Sequence, residues 1–246
     1  MQGGGAVTLA TPLTIEAAVA GATVTFKNKA SGTVFYKKND DAALHCNSGE
    51  TAGIELENVG DKVQFYGDNQ AYATGTGASD YSNIACSADC YVYGNIMSLV
   101  NSAGFASETA LTASFTFCQL FKDNVHIKNK TGADLLLPAT TMTEYCYYAM
   151  FYGCTSLTTA PVLHAPTLVE NCYYYMFYYC SSLKSVTCLA TNISASDCTK
   201  NWLNNVSANG TFYKASSMGA GTSGGWPLNS ASGVPNTWSV EDYVGP

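Results

Sequence analysis

An internal repeat with a period of about 26 residues constrains the fold of this chain more than any other feature. Residues 146–157, CYYAMFYGCTSL, recur at 172–183 as CYYYMFYYCSSL. A unit this short cannot bury its own apolar side alone, so it has to stack on further copies and form a solenoid. Solenoids typically offer extended binding surfaces, so the repeat already favours recognition over catalysis.

The repeat weakens on both sides of the two strong copies. Cys198 follows Cys172 by one full period, whereas the interval from Phe121 to Phe151 is longer than one period, which places an insertion near residues 129–133. A further, weaker copy begins at Cys90. Atypical end units are expected, because the terminal repeats of a solenoid need polar outer faces.

Each unit divides into two halves. In Thr143–Cys154, residues 146, 150 and 154, together with 147 and 151, fall on one side at 100° per residue, which predicts an amphipathic α-helix. The segment Leu183-x-x-Val186-x-Cys188 is similar to the Leu-x-x-Leu-x-Leu strand of leucine-rich repeats. Each unit is therefore predicted to be a strand, a turn and a helix.

The motifs Met150-Phe151-x-x-Cys154-x-x-Leu157 and Met176-Phe177-x-x-Cys180-x-x-Leu183 resemble the BspA-like leucine-rich-repeat family of Bacteroides-type and oral bacteria. The resemblance covers roughly residues 85–215. The unit is longer than the family's usual one, and tyrosine stands where the family commonly has small residues. The resemblance implies a secreted or surface-anchored recognition protein, often discussed as an adhesin.

The chain as a whole is predicted to be α+β, in three parts. Residues 1–80 contain short alternating runs, such as Thr23–Lys27 and Lys62–Tyr66, which predict a small antiparallel β-sandwich that caps the first coil. Residues 81–215 form the predicted leucine-rich-repeat solenoid. Residues 216–246 are predicted to be a Gly/Ser-rich loop and a final strand, with Trp238 covering exposed core.

The charge distribution limits the partners and the location. Charged residues make up 12% of the chain, about half the usual share, and the net charge is −7, so we expect no nucleic-acid partner. The stretch Tyr145–Val169 carries no charge but contains two prolines, and we interpret it as repeat, with no membrane insertion. Met1–Gly5 lacks the features of a secretion signal, although low charge favours an extracellular or cell-surface location.

The cysteines and acidic residues suggest no reactive centre. Five of the ten cysteines fall on the inward side of the repeat, at 146, 154, 172, 180 and 198, where we expect buried free thiols that act as small apolar side chains. Cys86 and Cys90 have no second pair at zinc-like spacing, so no metal and no cofactor is expected. No nucleophile motif or phosphate loop occurs, and we predict no enzymatic activity.

Tyrosine supplies the candidate binding residues. Tyr148 and Tyr152 recur one period later as Tyr174 and Tyr178, on the side of the predicted helices opposite the core. Tyrosine is enriched at binding surfaces because it combines a large contact area with a hydroxyl group. The alternatives are that these tyrosines only pack, or that the ligand binds the concave strand face, formed by Thr158, Thr159, Lys184, Ser185 and Thr187.

The sequence therefore predicts a non-catalytic surface protein that binds a host macromolecule, a glycan or a neighbouring cell. A phage or prophage tail-fibre module that recognises a bacterial surface is the second hypothesis, favoured by the low charge and the absent leader. A carbohydrate-active enzyme is a distant third.

Overall fold

The computed structural model describes residues 8–221 and 223–245. Met1–Val7, Thr222 and Pro246 lie outside the described residues, so the expectation drawn from Met1–Gly5 falls outside them as well. The only helical segments of the described chain are two short 3₁₀ turns, Ile96–Leu99 and Phe105–Ser107. The described residues otherwise form strands, turns and loops.

The described chain contains thirteen strands, most of them before Ile96. In chain order they are β1 Leu13–Ala17, β2 Ala22–Lys27, β3 Val34–Lys38, β4 Leu44–Cys46, β5 Thr51–Leu56, β6 Lys62–Gly67, β7 Asn83–Cys86, β8 Cys90–Asn95, β9 Ile127–Lys128, β10 Leu135–Leu136, β11 Ser185–Cys188, β12 Thr211–Lys214 and β13 Ser239–Asp242.

The N-terminal part is a sandwich of two sheets. The larger sheet has the order β10-β8-β1-β6-β3-β4, and β9 also pairs with β8; the smaller one has the order β5-β2-β7. Buried and partly exposed residues alternate along β2 and β6, as expected for strands with one face in a core. The rings of Phe26 and Phe65, one from each sheet, lie 5.5 Å apart and join the two inner faces.

Strand β8 connects this sandwich to the repeat region. It runs antiparallel to β1 on one side, and its other side pairs in parallel with β9 and β10. The sandwich therefore continues directly into the first coil through backbone hydrogen bonds.

Beyond β8 the chain forms stacked coils in parallel register. Ser185 of β11 pairs with Thr211 of β12, one period later in the chain, and Thr211 pairs in turn with Ser239 of β13. Isolated parallel bridges, such as the one between Leu137 and Leu163, continue the same side of the stack towards the N-terminus. At the C-terminal end, Trp226 stacks on Trp202 at 5.4 Å, and the indole of buried Trp238 donates to the Ser207 carbonyl.

The prediction of an α+β leucine-rich-repeat solenoid with helices is wrong. The segments expected to be helical are extended series of turns, which we call turn ribbons: residues 114–123, 144–153, 170–179 and 196–205. Every fourth residue of a ribbon has positive φ, for example Tyr145, Ala149 and Gly153 at 57°, 48° and 73°. An α-helix cannot contain such residues at regular intervals, because a positive φ breaks its ladder of hydrogen bonds.

Hydrogen bonds of the ribbons alternate between two kinds of partner. Tyr148 donates its N–H to the carbonyl three residues back, whereas Tyr147 donates to Cys172 of the next ribbon at 3.1 Å. Five N–H groups of each of the first three ribbons bond to the following ribbon in this way. Each of these three ribbons therefore relies on the following ribbon for about half of its backbone hydrogen bonds.

The interior between the ribbons consists of columns of equivalent side chains. Phe121, Phe151 and Phe177 are fully buried and stack with 5.5 Å between ring centroids and nearly parallel planes. Cys146, Cys172 and Cys198 are all buried, and the Cys172 thiol lies 3.7 Å from the Cys198 carbonyl. The burial expected for Cys146, Cys154, Cys172, Cys180 and Cys198 is thus confirmed.

Burial controls the acidity of these thiols. It raises the pKa of Cys146 and Cys188 to about 12. Burial also holds the pKa of Cys154, Cys172 and Cys180 well above the usual thiol range. The thiols of Cys154 and Cys180 donate to the Phe121 and Phe151 carbonyls at 3.1 and 3.0 Å. These cysteines therefore remain protonated at neutral pH.

Candidate functional site

Along the second ribbon, two buried residues precede each partly exposed tyrosine, at a four-residue interval. Cys146 and Tyr147 are buried, and Tyr148 is the next residue and lies at the surface, partly exposed. Four residues later the pattern places Tyr152 in the same way. The turn geometry therefore brings both tyrosines to one outward side of the ribbon.

The four tyrosines predicted from sequence form two stacked pairs across neighbouring ribbons. Tyr148 stacks on Tyr174 and Tyr152 stacks on Tyr178, with 5.3 Å between ring centroids in both pairs. All four side chains are partly buried. Much of their ring area is therefore occupied by contacts within the protein, and the remainder faces outwards.

Two tyrosines of the third ribbon that the repeat spacing did not predict belong to the same surface. Tyr175 and Tyr179 occupy positive-φ positions of the third ribbon, and Tyr179 is 48% exposed. Tyr175 packs edge-on against Tyr174 and Tyr178, at 4.4 and 5.0 Å. Tyr145 completes this network, which we call the tyrosine face: Tyr145, Tyr148, Tyr152, Tyr174, Tyr175, Tyr178 and Tyr179.

A cleft opens beside the tyrosine face at Ala149 of the second ribbon. Ala149 and Gly153 stand where the third ribbon has Tyr175 and Tyr179. The cleft, which we call the tyrosine cleft, has a volume of about 410 Å³. Its lining is Thr76, Ala78, Tyr81, Gln119, Lys122, Tyr148, Ala149, Tyr152, Tyr175 and Tyr178.

The far wall of the tyrosine cleft is a loop of the N-terminal part, fixed at both ends. Ala73 and Tyr81 form a bridge that closes the loop. The Gln119 side-chain amide donates to the Thr76 carbonyl at 3.0 Å, which ties the loop to the first ribbon. The N-terminal module thus contributes directly to the candidate site.

Two lysines lie over tyrosine rings of the face. The Lys122 ammonium is 5.3 Å from the centre of the Tyr152 ring, and the Lys200 ammonium is 5.4 Å from that of Tyr174. Such cation–π contacts attract the ammonium group to the negative face of the ring. Lys122 also pairs with Asp123 at 2.9 Å, so its charge is compensated within the protein.

Three hydroxyl groups of the tyrosine face have a raised pKa and stay protonated at neutral pH. Burial raises the pKa of Tyr148 to about 12. Desolvation, followed by a hydrogen bond that the hydroxyl donates to the neighbouring tyrosine, also raises the pKa of Tyr174 and Tyr178. Tyr148, Tyr174 and Tyr178 therefore present uncharged phenols, which can both donate and accept hydrogen bonds.

The alternative binding surface, the strand face of Thr158, Thr159, Lys184, Ser185 and Thr187, has several of its groups buried or hydrogen-bonded within the protein. Thr158 and Thr159 are exposed, but their N–H groups donate to the Asn129 side chain at 2.9 and 3.0 Å. Lys184 is exposed, Ser185 is partly exposed and Thr187 is buried. Thr159 and Thr187 line a smaller cavity of about 150 Å³.

The described residues contain no group of three or more His, Cys, Asp or Glu side chains placed to hold a metal ion. Within residues 8–221 and 223–245, no helix has both the length and the apolar character required to cross a bilayer.

Comparisons with known proteins found no family model, no curated protein and no solved structure that matches this chain.

Proposed function

We propose that this protein is a non-catalytic recognition and adhesion protein of a cell surface or the extracellular space. It binds a host macromolecule, a glycan or a neighbouring cell through the tyrosine face. The observation that carries the proposal is the joining of seven tyrosines from two adjacent ribbons into one partly exposed aromatic network.

The chemistry of the tyrosine face supports recognition. Tyrosine and other aromatic residues dominate the energy of binding interfaces, because they bury large areas at low entropic cost. The network also holds each ring in place before a partner arrives, so less freedom is lost on binding. Polar groups beside it have partners within the protein, as with Lys122 and Asp123.

The surface location is supported by composition and by the resemblance of the repeat motifs to BspA-like proteins. Charged residues make up 12% of the chain, and nine of its seventeen tyrosines lie between Tyr145 and Tyr179. A face rich in tyrosine and poor in charge suits contact with neutral polymers or proteins outside the cell.

The test replaces Tyr148, Tyr152, Tyr174 and Tyr178 with serine and compares binding on arrays of glycans and matrix proteins. We expect the wild type to bind at least one ligand and the quadruple variant to lose about 100-fold or more in affinity, since hot-spot residues each contribute about 2 kcal/mol or more. Thermal unfolding verifies that the variant is folded.

Two matched variants complete this test. Replacing the same four residues with phenylalanine keeps the ring stacks, and this variant should retain part of the affinity. Replacing Thr158, Thr159 and Lys184 with alanine should leave binding unchanged. Loss of binding in the alanine variant, with full binding in the serine variant, would move the ligand to the strand face and refute the proposal.

A further inference from the structure

We infer that the tyrosine cleft holds a single pyranose ring of a neutral glycan chain, with the ring seated beside Ala149 between Tyr175 and Lys122. This inference rests on the proposed function and specifies the ligand class of the same surface.

The size and position of the tyrosine cleft support one small occupant. Its volume of about 410 Å³ falls in the range of small-molecule sites, about 300–1,000 Å³. The cleft owes its space to position 149, since the equivalent residue of the next ribbon is Tyr175. It is bounded on its far side by the loop that ends at Tyr81. A ligand in it therefore contacts both the ribbons and the N-terminal module.

The lining has the mixed chemistry that a sugar ring requires. A pyranose combines C–H groups on its ring faces with hydroxyl groups at its edge. Tyr148, Tyr152 and Tyr175 supply aromatic rings whose π-electrons attract C–H groups. The phenol hydroxyls and the hydroxyl of Thr76 supply hydrogen-bonding groups for the edge of the sugar.

The charge of the lining favours a neutral sugar over an acidic one. Among the described residues that line the cleft, Lys122 is the only charged one. Its ammonium group pairs with Asp123 at 2.9 Å and lies over the Tyr152 ring at 5.3 Å. A ligand carboxylate would have to break this pair or approach the Asp123 carboxylate, and the whole chain carries a net charge of −7.

The decisive variant is Ala149→Tyr. Tyrosine is accommodated at the equivalent position of the next ribbon, where Tyr175 has φ of 57° and Ala149 has 48°, so the variant should fold. Its side chain would fill the tyrosine cleft. The neutral probes are the methyl glycosides of glucose, galactose, mannose and N-acetylglucosamine, and methyl glucuronide is the acidic probe. Saturation-transfer NMR detects binding, and calorimetric titration measures the affinity.

We expect at least one neutral glycoside to bind the wild type, and methyl glucuronide to bind no better than that glycoside. The Ala149→Tyr variant should bind the neutral glycoside about tenfold or more weakly. A tenfold loss of affinity corresponds to one lost contact of about 1.4 kcal/mol. Thr158→Ala serves as a surface control and should keep wild-type affinity. If Ala149→Tyr unfolds, Ala149→Leu replaces it, since leucine also narrows the cleft.

The outcomes separate this inference from the proposed function. If no neutral glycoside binds the wild type, if methyl glucuronide binds better, or if the folded cleft-filling variant keeps full affinity, the inference is refuted. If the inference is refuted but the variant with serine at 148, 152, 174 and 178 still loses binding to the ligand found on the array, the proposed function stands without the pyranose site. If that variant keeps its array ligand, both fail.

Discussion

Phe151→Ala should lower the free energy of unfolding by about 3–5 kcal/mol, the usual cost of removing a fully buried phenylalanine. Phe151 is the middle ring of the column that runs from Phe121 to Phe177, and its side chain is fully buried. Its loss removes two stacked contacts, each contributing about 0.5–1.5 kcal/mol beyond burial alone. Urea unfolding followed by tyrosine and tryptophan fluorescence measures the change.

Phe35→Ala is the matched control for Phe151→Ala. Phe35 lies in the N-terminal sandwich and is 44% exposed, so its replacement should change the free energy of unfolding by about 0.5 kcal/mol or less. A cost below about 1 kcal/mol for Phe151→Ala would contradict the continuous aromatic column, because the cavity and transfer costs of a buried ring exceed that value.

The second large effect is a loss of stability in mild alkali. Five coil thiols, those of Cys146, Cys154, Cys172, Cys180 and Cys188, have a pKa raised by burial. In the unfolded chain a thiol ionises near pH 8.5, so above that pH the unfolded state binds fewer protons than the folded state. The free energy of unfolding therefore falls as the pH rises from about 8.5 towards the folded pKa values.

The expected magnitude of the alkaline effect is large because the five thiols act together. At about pH 9.5, roughly one unit above the pKa of the unfolded thiols, each thiol costs about 1 kcal/mol, so together they cost several kcal/mol, a large part of the stability of a typical domain. Urea unfolding at pH 7 and pH 9.5, in the presence of a reductant, measures this. Replacing Cys146, Cys172 and Cys180 with alanine should flatten the pH dependence, and an unchanged free energy of unfolding at pH 9.5 in the parent would contradict the burial of these thiols.

The repeat predicted the stacking but not the conformation of its units. Equal spacing of like residues indicates which side chains lie over each other, and the column of Cys146, Cys172 and Cys198 has that arrangement. The same spacing also fits a helix, because residues 146, 150 and 154 lie within one helical face at 100° per residue. A strict four-residue interval, with no three-residue steps, drifts steadily around an α-helix, by about 40° at each step, and suits a four-residue turn better.

The candidate site could be predicted only in part for the same reason. Tyr148, Tyr152, Tyr174 and Tyr178 were identified because they recur at the repeat spacing. Tyr175 and Tyr179 were not predicted to belong to the site. They occupy positive-φ positions, which a helix does not contain, so the helical pattern does not indicate where their side chains lie. The loop ending at Tyr81 and the lysine at 122 reach the site through tertiary contacts, for which a single sequence holds no signal.

The alternation of hydrogen bonds along each ribbon limits where this chain can change length during evolution. A one-residue insertion inside a ribbon would exchange the N–H groups that close turns with those that join the next ribbon, and half of the side chains beyond it would change sides. The segments that connect one ribbon to the next, which we call corners, carry no such restriction. The interval between the first two ribbons is longer than the later intervals. Divergent descendants should therefore differ by corner insertions or by duplication of whole units.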